Sequence, residues 1–348
     1  MSVAVVGAGI TGLAVTYELL RAGHDVRCFE VASPMAERST GDTRIFRLAH
    51  TSAALVDWAA QARREWDRWS EAAGRPLVGV ERAVVSGDID DWASALAAAG
   101  AEHEVTDRSP GLPAESATGP FLVDPNGGVI QAAATGSFLR EQVAAALVME
   151  AVTAIESDDG SVRVVTPSGE TTFDRAVILA GAGTARLASM VGIEVPSERV
   201  HHARFTYPLR EPAAAPPCWI DRSGAWRDGF SSYQHLAGPG LWAIGGLLSD
   251  QDTSWDVGRD TVTEQSRQVV TQYVADHVTG AVPEPIDTVY CSHPPRLGDG
   301  LSTARTGSVI AAWGDNLFKF APVIGTALTH AVTETTDLAE LDALRPQG

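Results

Sequence analysis

The stretch Gly7-Ala8-Gly9-Ile10-Thr11-Gly12 constrains this chain more than any other. It follows residues 2–6, a short apolar run of the kind that forms a buried parallel strand. It opens residues 10–22, where Leu13, Tyr17 and Leu20 fall on one helical face. Residues 25–30 read as a second strand, so the chain begins with a βαβ unit. In that setting the first glycine allows a tight turn and the second lets the backbone approach a pyrophosphate. The third lets helix and strand pack closely, and the pyrophosphate rests on the helix N-terminus. Glu30 ends the second strand, 18 residues after Gly12, where a carboxylate accepts hydrogen bonds from an adenosine ribose. Gly7, Gly9, Ile10, Thr11, Gly12 and Glu30 are therefore the expected dinucleotide contacts. The glycine pattern alone does not separate FAD from NAD, and a βα turn of an unrelated α/β protein is the plain alternative.

At 348 residues the chain is long enough for two domains. Its formal net charge of −18 argues against nucleic acid as a partner, because phosphate recognition needs clustered basic charge. It also argues against adhesion to an anionic membrane, and no apolar run approaches the ~20 residues of a membrane span. Cys28, Cys218 and Cys291 do not make a disulfide framework, and no Cys or His spacing suggests a metal site. No secretory leader is read at the N-terminus, so a cytoplasmic setting is expected. Of the 26 basic residues only one, Lys319, is lysine. It lies between Phe318 and Phe320, where a charge is costly unless paired.

Further along, residues 53–73 form an amphipathic helix carrying Trp58, Trp66 and Trp69. Residues 121–131 read as strand, turn and strand around Pro125-Asn126-Gly127-Gly128, with a helix at 133–146. Two strands flank the turn at 158–160. Residues 174–180 are a buried strand that runs into Gly181-Ala182-Gly183 and a helix. Residues 199–250 are β-rich, 260–279 helical, 309–312 a last buried strand, and 322–341 a C-terminal helix. The βα units at the ends and middle point to one nucleotide-binding domain interrupted by a β-rich one. The expected division is 1–78, 132–196 and 286–348 against 79–131 and 197–285.

Gly41-Asp42-Thr43-Arg44-Ile45-Phe46-Arg47 closely resembles the Gly-Asp-Thr-Arg-x-x-Arg signature of the monomeric sarcosine oxidase and N-methyltryptophan oxidase family, within the glycine and D-amino-acid oxidase group. Further likenesses follow in order. They are Asp124-Pro125-Asn126-Gly127-Gly128-Val129-Ile130, the strand and turn at 174–183, Val309-Ile310-Ala311-Ala312, and Phe318-Lys319-Phe320. The resemblance spans nearly the whole chain. It implies a Rossmann-like FAD-binding domain of glutathione-reductase type interleaved with a β-rich substrate-binding domain. It also implies a monomer that oxidises a small amino acid by hydride transfer to flavin N5, with O2 as the electron acceptor.

The resemblance assigns roles to residues. Arg47 and Lys319 would hold the substrate carboxylate, with Thr43 and Arg44 against the flavin ring. On the residues alone, two arginines three apart would point the same way on a helical turn, where they could bind a carboxylate or stabilise a reduced ring. A solvated surface is the alternative. Val152, Gly181, Gly183, Gly314 and Phe318 complete the expected cofactor contacts. Tyr233 and His293 are the expected substrate-facing polar groups. Cys291 stands where the family carries a cysteine joined to the flavin 8α-methyl as a thioether; an inert thiol beside noncovalent FAD is the other reading.

The chain also departs from the family. The run Ser292-His293-Pro294-Pro295-Arg296-Leu297-Gly298 replaces an aromatic and a Thr-Pro-Asp-like segment. Trp313-Gly314-Asp315-Asn316-Leu317 replaces a more glycine-rich turn. The lysine that helps reduced flavin react with oxygen falls, on the expected strand at 241–246, at Ala243. An arginine, or a histidine such as His235, could stand in for it. These departures keep open a flavin dehydrogenase with a non-oxygen acceptor and a flavin-binding protein that has lost catalysis. An NAD-dependent dehydrogenase would leave the 41–47 and 318–320 likenesses unexplained.

Overall fold

A computed structural model describes residues 1–158, 160–295, 299–334, 338 and 341. The chain divides into two compact units, Met1–Thr40 with Ala133–Glu198 and Arg296–Gly348, and Gly41–Ala132 with Arg199–Pro295. The segment from Gly41 through the tryptophan-bearing helix Ala53–Ala73 thus lies in the second unit. No helix among the described residues is long and apolar enough to cross a membrane.

The first unit is built on a six-stranded sheet. Ser2–Val6 pairs in parallel with Asp25–Phe29 on one side and Arg175–Ile178 on the other. Leu147–Val148 extends one end, while Val309–Asp315 and then antiparallel Gly300–Thr306 extend the other. Parallel strands buried on both faces need apolar residues throughout, which is why Ser-Val-Ala-Val-Val suits the centre. Helix Ile10–Arg21 packs against helix Ala321–Thr333 so closely that a Cβ on Gly325 would lie 3.0 Å from the Ala14 backbone. A separate three-stranded antiparallel sheet (Ala154–Asp158, Ser161–Thr166, Gly169–Phe173) covers one part of the core through Ile155, Val162, Val164 and Phe173. The expected turn at 158–160 includes residue 159, and the expected helix at 322–341 runs past 334; in both places the expectation extends beyond the described residues.

The second unit holds an eight-stranded mixed sheet. Its strand order is Asp287–His293, Val200–Pro208, Leu241–Leu247, Ser231–Gly238, Cys218–Arg222, Ala83–Gly87, Phe121–Asp124 and Glu104–Thr106. Side chains alternate between faces along each strand. One face carries Phe205, Tyr207, Trp219, Trp242 and Ile244, which pack with Val270, Tyr273 and Val274 of helix Arg259–Asp276. The indole of Trp242 donates to Gln234, whose amide donates to Tyr273, so these three polar groups are paired.

One expectation fails here. Thr43–Phe46 is a strand, paired antiparallel with Gly128–Gln131, and not a helical turn. Residues three apart along an extended backbone point to opposite sides, so Arg44 and Arg47 diverge.

Candidate cofactor and active-site residues

In the first unit the glycine loop has the geometry its spacing implies. Gly7 has φ +105, and a Cβ there would lie 2.5 Å from the Leu179 carbonyl oxygen of the neighbouring strand end. A Cβ on Gly12 would come within 1.8 Å of the Gly7 carbonyl oxygen. Gly9 caps helix Ile10–Arg21 without contributing a side-chain hydrogen bond. Ile10 N–H instead donates to Ser39 Oγ at 3.0 Å, a hydroxyl 29 residues away that carries no local signal in the sequence. Glu30 accepts from Ala8 N–H at 2.8 Å and from Ala32 N–H at 3.0 Å. A carboxylate has about four acceptor sites, so these two bonds leave capacity for ribose hydroxyls. The cradle therefore fits a dinucleotide such as FAD.

Other expected contacts of this unit lie at its strand ends. Gly181–Gly183 is a single tight turn leading into helix Thr184–Ser189. Buried Val152 offers its carbonyl to Arg186. Gly314 accepts from Arg38 at 3.0 Å, and a Cβ there would strike the Gly300 carbonyl oxygen at 2.1 Å. Lys319 sits in the turn Leu317–Phe320 and is buried, as is Phe318. Its Nζ donates to Asp299 Oδ2 at 2.9 Å, while Asn316 donates to Asp299 Oδ1 at 2.6 Å. The lone lysine is thus paired, as its burial between aromatics requires. Asp299 directly follows the departing run at 292–298, whose residues 296–298 lie outside the described residues.

In the second unit the strand register gathers several polar groups on the sheet face opposite the aromatic core. Cys291 is directly across from His202, Val289 from Arg204, Tyr233 from Gly245, and His235 from Ala243. Ala243 is also across from Thr206. The expected strand at 241–246 is present as Leu241–Leu247, and Ala243 is fully buried on it. Tyr233 Oη lies 2.6 Å from His202 Nε2. The His293 ring is 5.9 Å from that of His202, and its Nδ1 is 2.6 Å from the Pro294 carbonyl. Of the three cysteines, burial pushes the Cys28 thiol up to about 12 and Cys218 well above its usual range, which keeps both protonated. Cys291 is half-buried and in no disulfide.

The signature arginines part company on leaving their strand. Arg44 Nη1 donates to the Thr43 carbonyl at 2.7 Å. Buried Arg47 donates to the Ala49 carbonyl, lies 3.2 Å from His50 Nδ1, and stacks 4.9 Å from the Trp92 ring centroid. Asp124, fully buried, organises this bend. It accepts from the Leu48 and Ala49 amides through Oδ2 and from Asn126 through Oδ1. Burial holds its pKa above the ordinary carboxylate value despite those donors and the charge of Arg47.

Two residues of this face, His202 and Arg204, were missed in the sequence. The signal was there: His202, Arg204 and Thr206 alternate with Ala203, Phe205 and Tyr207, the period of a strand with one polar face.

The model of the FAD dependent oxidoreductase (DAO) family matches residues 2–331, and this chain belongs to that family. It is an FAD-dependent oxidoreductase. No curated protein sequence matches the chain. Among solved structures it is similar to NikD, described as an unusual amino acid oxidase essential for nikkomycin biosynthesis. The identity is 20% over 99% of this chain and 98% of that one, with a TM-score of 0.82. It is similar also to L-proline dehydrogenase from P. horikoshii, at 14% identity over 99% and 96% with a TM-score of 0.80. Glycine oxidase from Geobacillus kaustophilus matches at 19% identity over 99% of both chains, with a TM-score of 0.73. At these identities the likeness is one of fold.

Proposed function

We propose that the chain oxidises the C–N bond of a small amino acid to the imine, with electrons passing to O2 to give H2O2. The substrate class is a secondary amine, either an N-methyl or a cyclic imino acid. The observation that carries this reading is the polar sheet face of the second unit. There Cys291, His202, Arg204, Tyr233 and His235 are brought together beside the Thr43–Phe46 strand, in a chain whose family match runs from residue 2 to 331. The names of the structural neighbours support the amino-acid class.

In this reading the first unit is the flavin-binding domain and the second the substrate domain. Gly7, Gly9, Ile10, Thr11, Gly12, Glu30, Val152, Gly181, Gly183, Gly314 and Phe318 hold FAD, with Thr43 and Arg44 along its ring. FAD, when bound, supplies the two-electron acceptor for the substrate hydride. Arg47 and Lys319 bind the substrate carboxylate. Both already have acceptors in their own chain, so carboxylate binding there is an exchange of partners. Tyr233 and His293 face the substrate, and His202 fixes the Tyr233 hydroxyl. A neutral amine is needed for hydride loss, so the Tyr233–His202 pair is suited to accept its proton.

Aerobic incubation with a panel of amino acids tests the proposal through peroxide release. Turnover only with an artificial electron acceptor supports the dehydrogenase reading, which Ala243 at the lysine position favours. No turnover with either excludes both.

Cys291 is proposed to carry FAD as a thioether, since it is the most accessible of the three thiols. Denatured wild-type chain should then stay yellow after gel filtration, and Cys291→Ser should release its flavin. Colour lost equally from both would show that attachment is noncovalent.

A further inference from the structure

Among the described residues, Arg204 is a buried cation with no ion-pair partner. It stands on the Val200–Pro208 strand, 6% exposed, and forms no ion pair among the described residues. Its Nη1 donates to the Thr43 carbonyl at 3.1 Å and lies 3.4 Å from His235 Nε2. Its Nε finds no partner, and Nη2 makes no hydrogen bond among the described residues. Nε and Nη2 form one edge of the guanidinium, the edge that grips an anion through two parallel hydrogen bonds. Gly41 keeps that edge clear. At its φ of +96, a Cβ would sit 3.0 Å from Arg204 Nη2 and 3.2 Å from Arg44 Nη1.

The nearest groups add positive charge: Asp287, on the same face across from Thr206, is exposed and forms no ion pair with Arg204 among the described residues. Arg44 donates to the same Thr43 carbonyl that Arg204 uses. His235 is fully buried, and burial followed by the charges of Arg204 and Arg44 pushes its pKa well below the ordinary histidine value. His235 is therefore neutral at neutral pH and cannot itself be the missing charge. Across from Arg204 stands Gly245, where the Tyr233 ring fills the space a Cβ would take (2.3 Å), and the next residue on that face is Ala243. A cation held away from water costs several kcal/mol unless an anion compensates it. A site with this cost fits a charge that arrives during turnover.

We infer that Arg204 supplies the fixed positive charge that balances the charge FAD gains on reduction, in the place left by Ala243. The inference rests on the flavin reading above. Hydride transfer breaks the substrate Cα–H bond and delivers two electrons and one proton, so the substrate becomes an iminium and the cofactor gains one net negative charge. A fixed cation beside the Thr43–Arg44 segment stabilises that charge without reorganising.

The test uses the holoenzyme and sulfite, a small nucleophile whose addition to oxidised flavin also leaves a negative charge on the ring. Arg204→Met should weaken sulfite binding at least roughly tenfold. It should lower the midpoint potential of bound FAD by about 30 mV for each tenfold change, the two-electron conversion. Arg204→Lys should keep most of both, and Arg204→Met/Ala243→Lys should recover them by moving the charge one strand over. Should Arg204→Met fail to fold, Arg204→Gln is read in its place. Unchanged sulfite affinity and potential in the neutral variants would overturn the inference. So would lost affinity for an unreactive carboxylate such as acetate with the potential unchanged, because Arg204 would then serve the substrate instead. Failure of the flavin reading itself is distinguishable, because wild-type protein would then bind no FAD before any variant is made.

Discussion

Gly12→Ala should sharply weaken FAD binding and destabilise the first unit, whereas Gly9→Ala should leave the fold intact and weaken FAD binding alone. The two glycines differ in what a methyl group would meet. At Gly12 the added Cβ would lie 1.8 Å from the Gly7 carbonyl oxygen and 3.0 Å from its carbon, both backbone atoms that cannot turn aside. Overpacking of this kind costs on the order of 3 kcal/mol or more when the neighbour cannot move. Helix Ile10–Arg21 must then back away from Ser2–Val6, and the loop loses the shape that cradles a pyrophosphate. Affinity should fall by roughly a hundredfold or more, since each 1.4 kcal/mol is tenfold. Gly9 has an extended backbone (φ −69, ψ 179) that alanine adopts freely, and its nearest obstacle is Ser39 Oγ at 3.4 Å. Its methyl group would instead occupy the space a pyrophosphate needs. Thermal unfolding and FAD titration of both variants separate the effects. Equal losses of stability would contradict the distinct roles.

Asp124→Ala should be the most destabilising substitution in the second unit. One fully buried carboxylate satisfies the amides of Leu48, Ala49 and Asn126. Each buried donor left without a partner costs about 1–3 kcal/mol, so the three together are expected to cost about 3–9 kcal/mol, a large share of a typical 5–15 kcal/mol of stability. The bend that aims Arg47 would also relax. Asp124→Asn keeps one acceptor oxygen and should cost less than half as much. Urea unfolding measures both, and a loss under about 1 kcal/mol for the alanine variant would show that water or another group takes over the three amides.

What could be read from the sequence follows the range of the interactions involved. The glycine loop, Glu30 and the helix Ala53–Ala73 were legible because their signals are local: a turn, a spacing, a helical stripe of tryptophans. The Arg44–Arg47 geometry was not, because Thr43–Phe46 is a strand only through pairing with Gly128–Gln131, far along the chain. The burial of Lys319 between phenylalanines announced that it needed a partner, but Asp299 lay in a stretch with no periodic signal. Arg204 was overlooked because a charged residue on a strand reads as solvent-facing. Only the three-strand register shows that it is enclosed beside Ala243 and His235.

This FAD-dependent oxidoreductase is proposed to take its electrons from a small amino acid. The most direct measurement is to mix the FAD-loaded protein anaerobically with secondary and cyclic amino acids and follow the visible flavin band. Bleaching by at least one of them, reversed on admitting air with release of peroxide, is the predicted result. A flavin band that no amino acid bleaches, although photoreduction bleaches it, would contradict the claim.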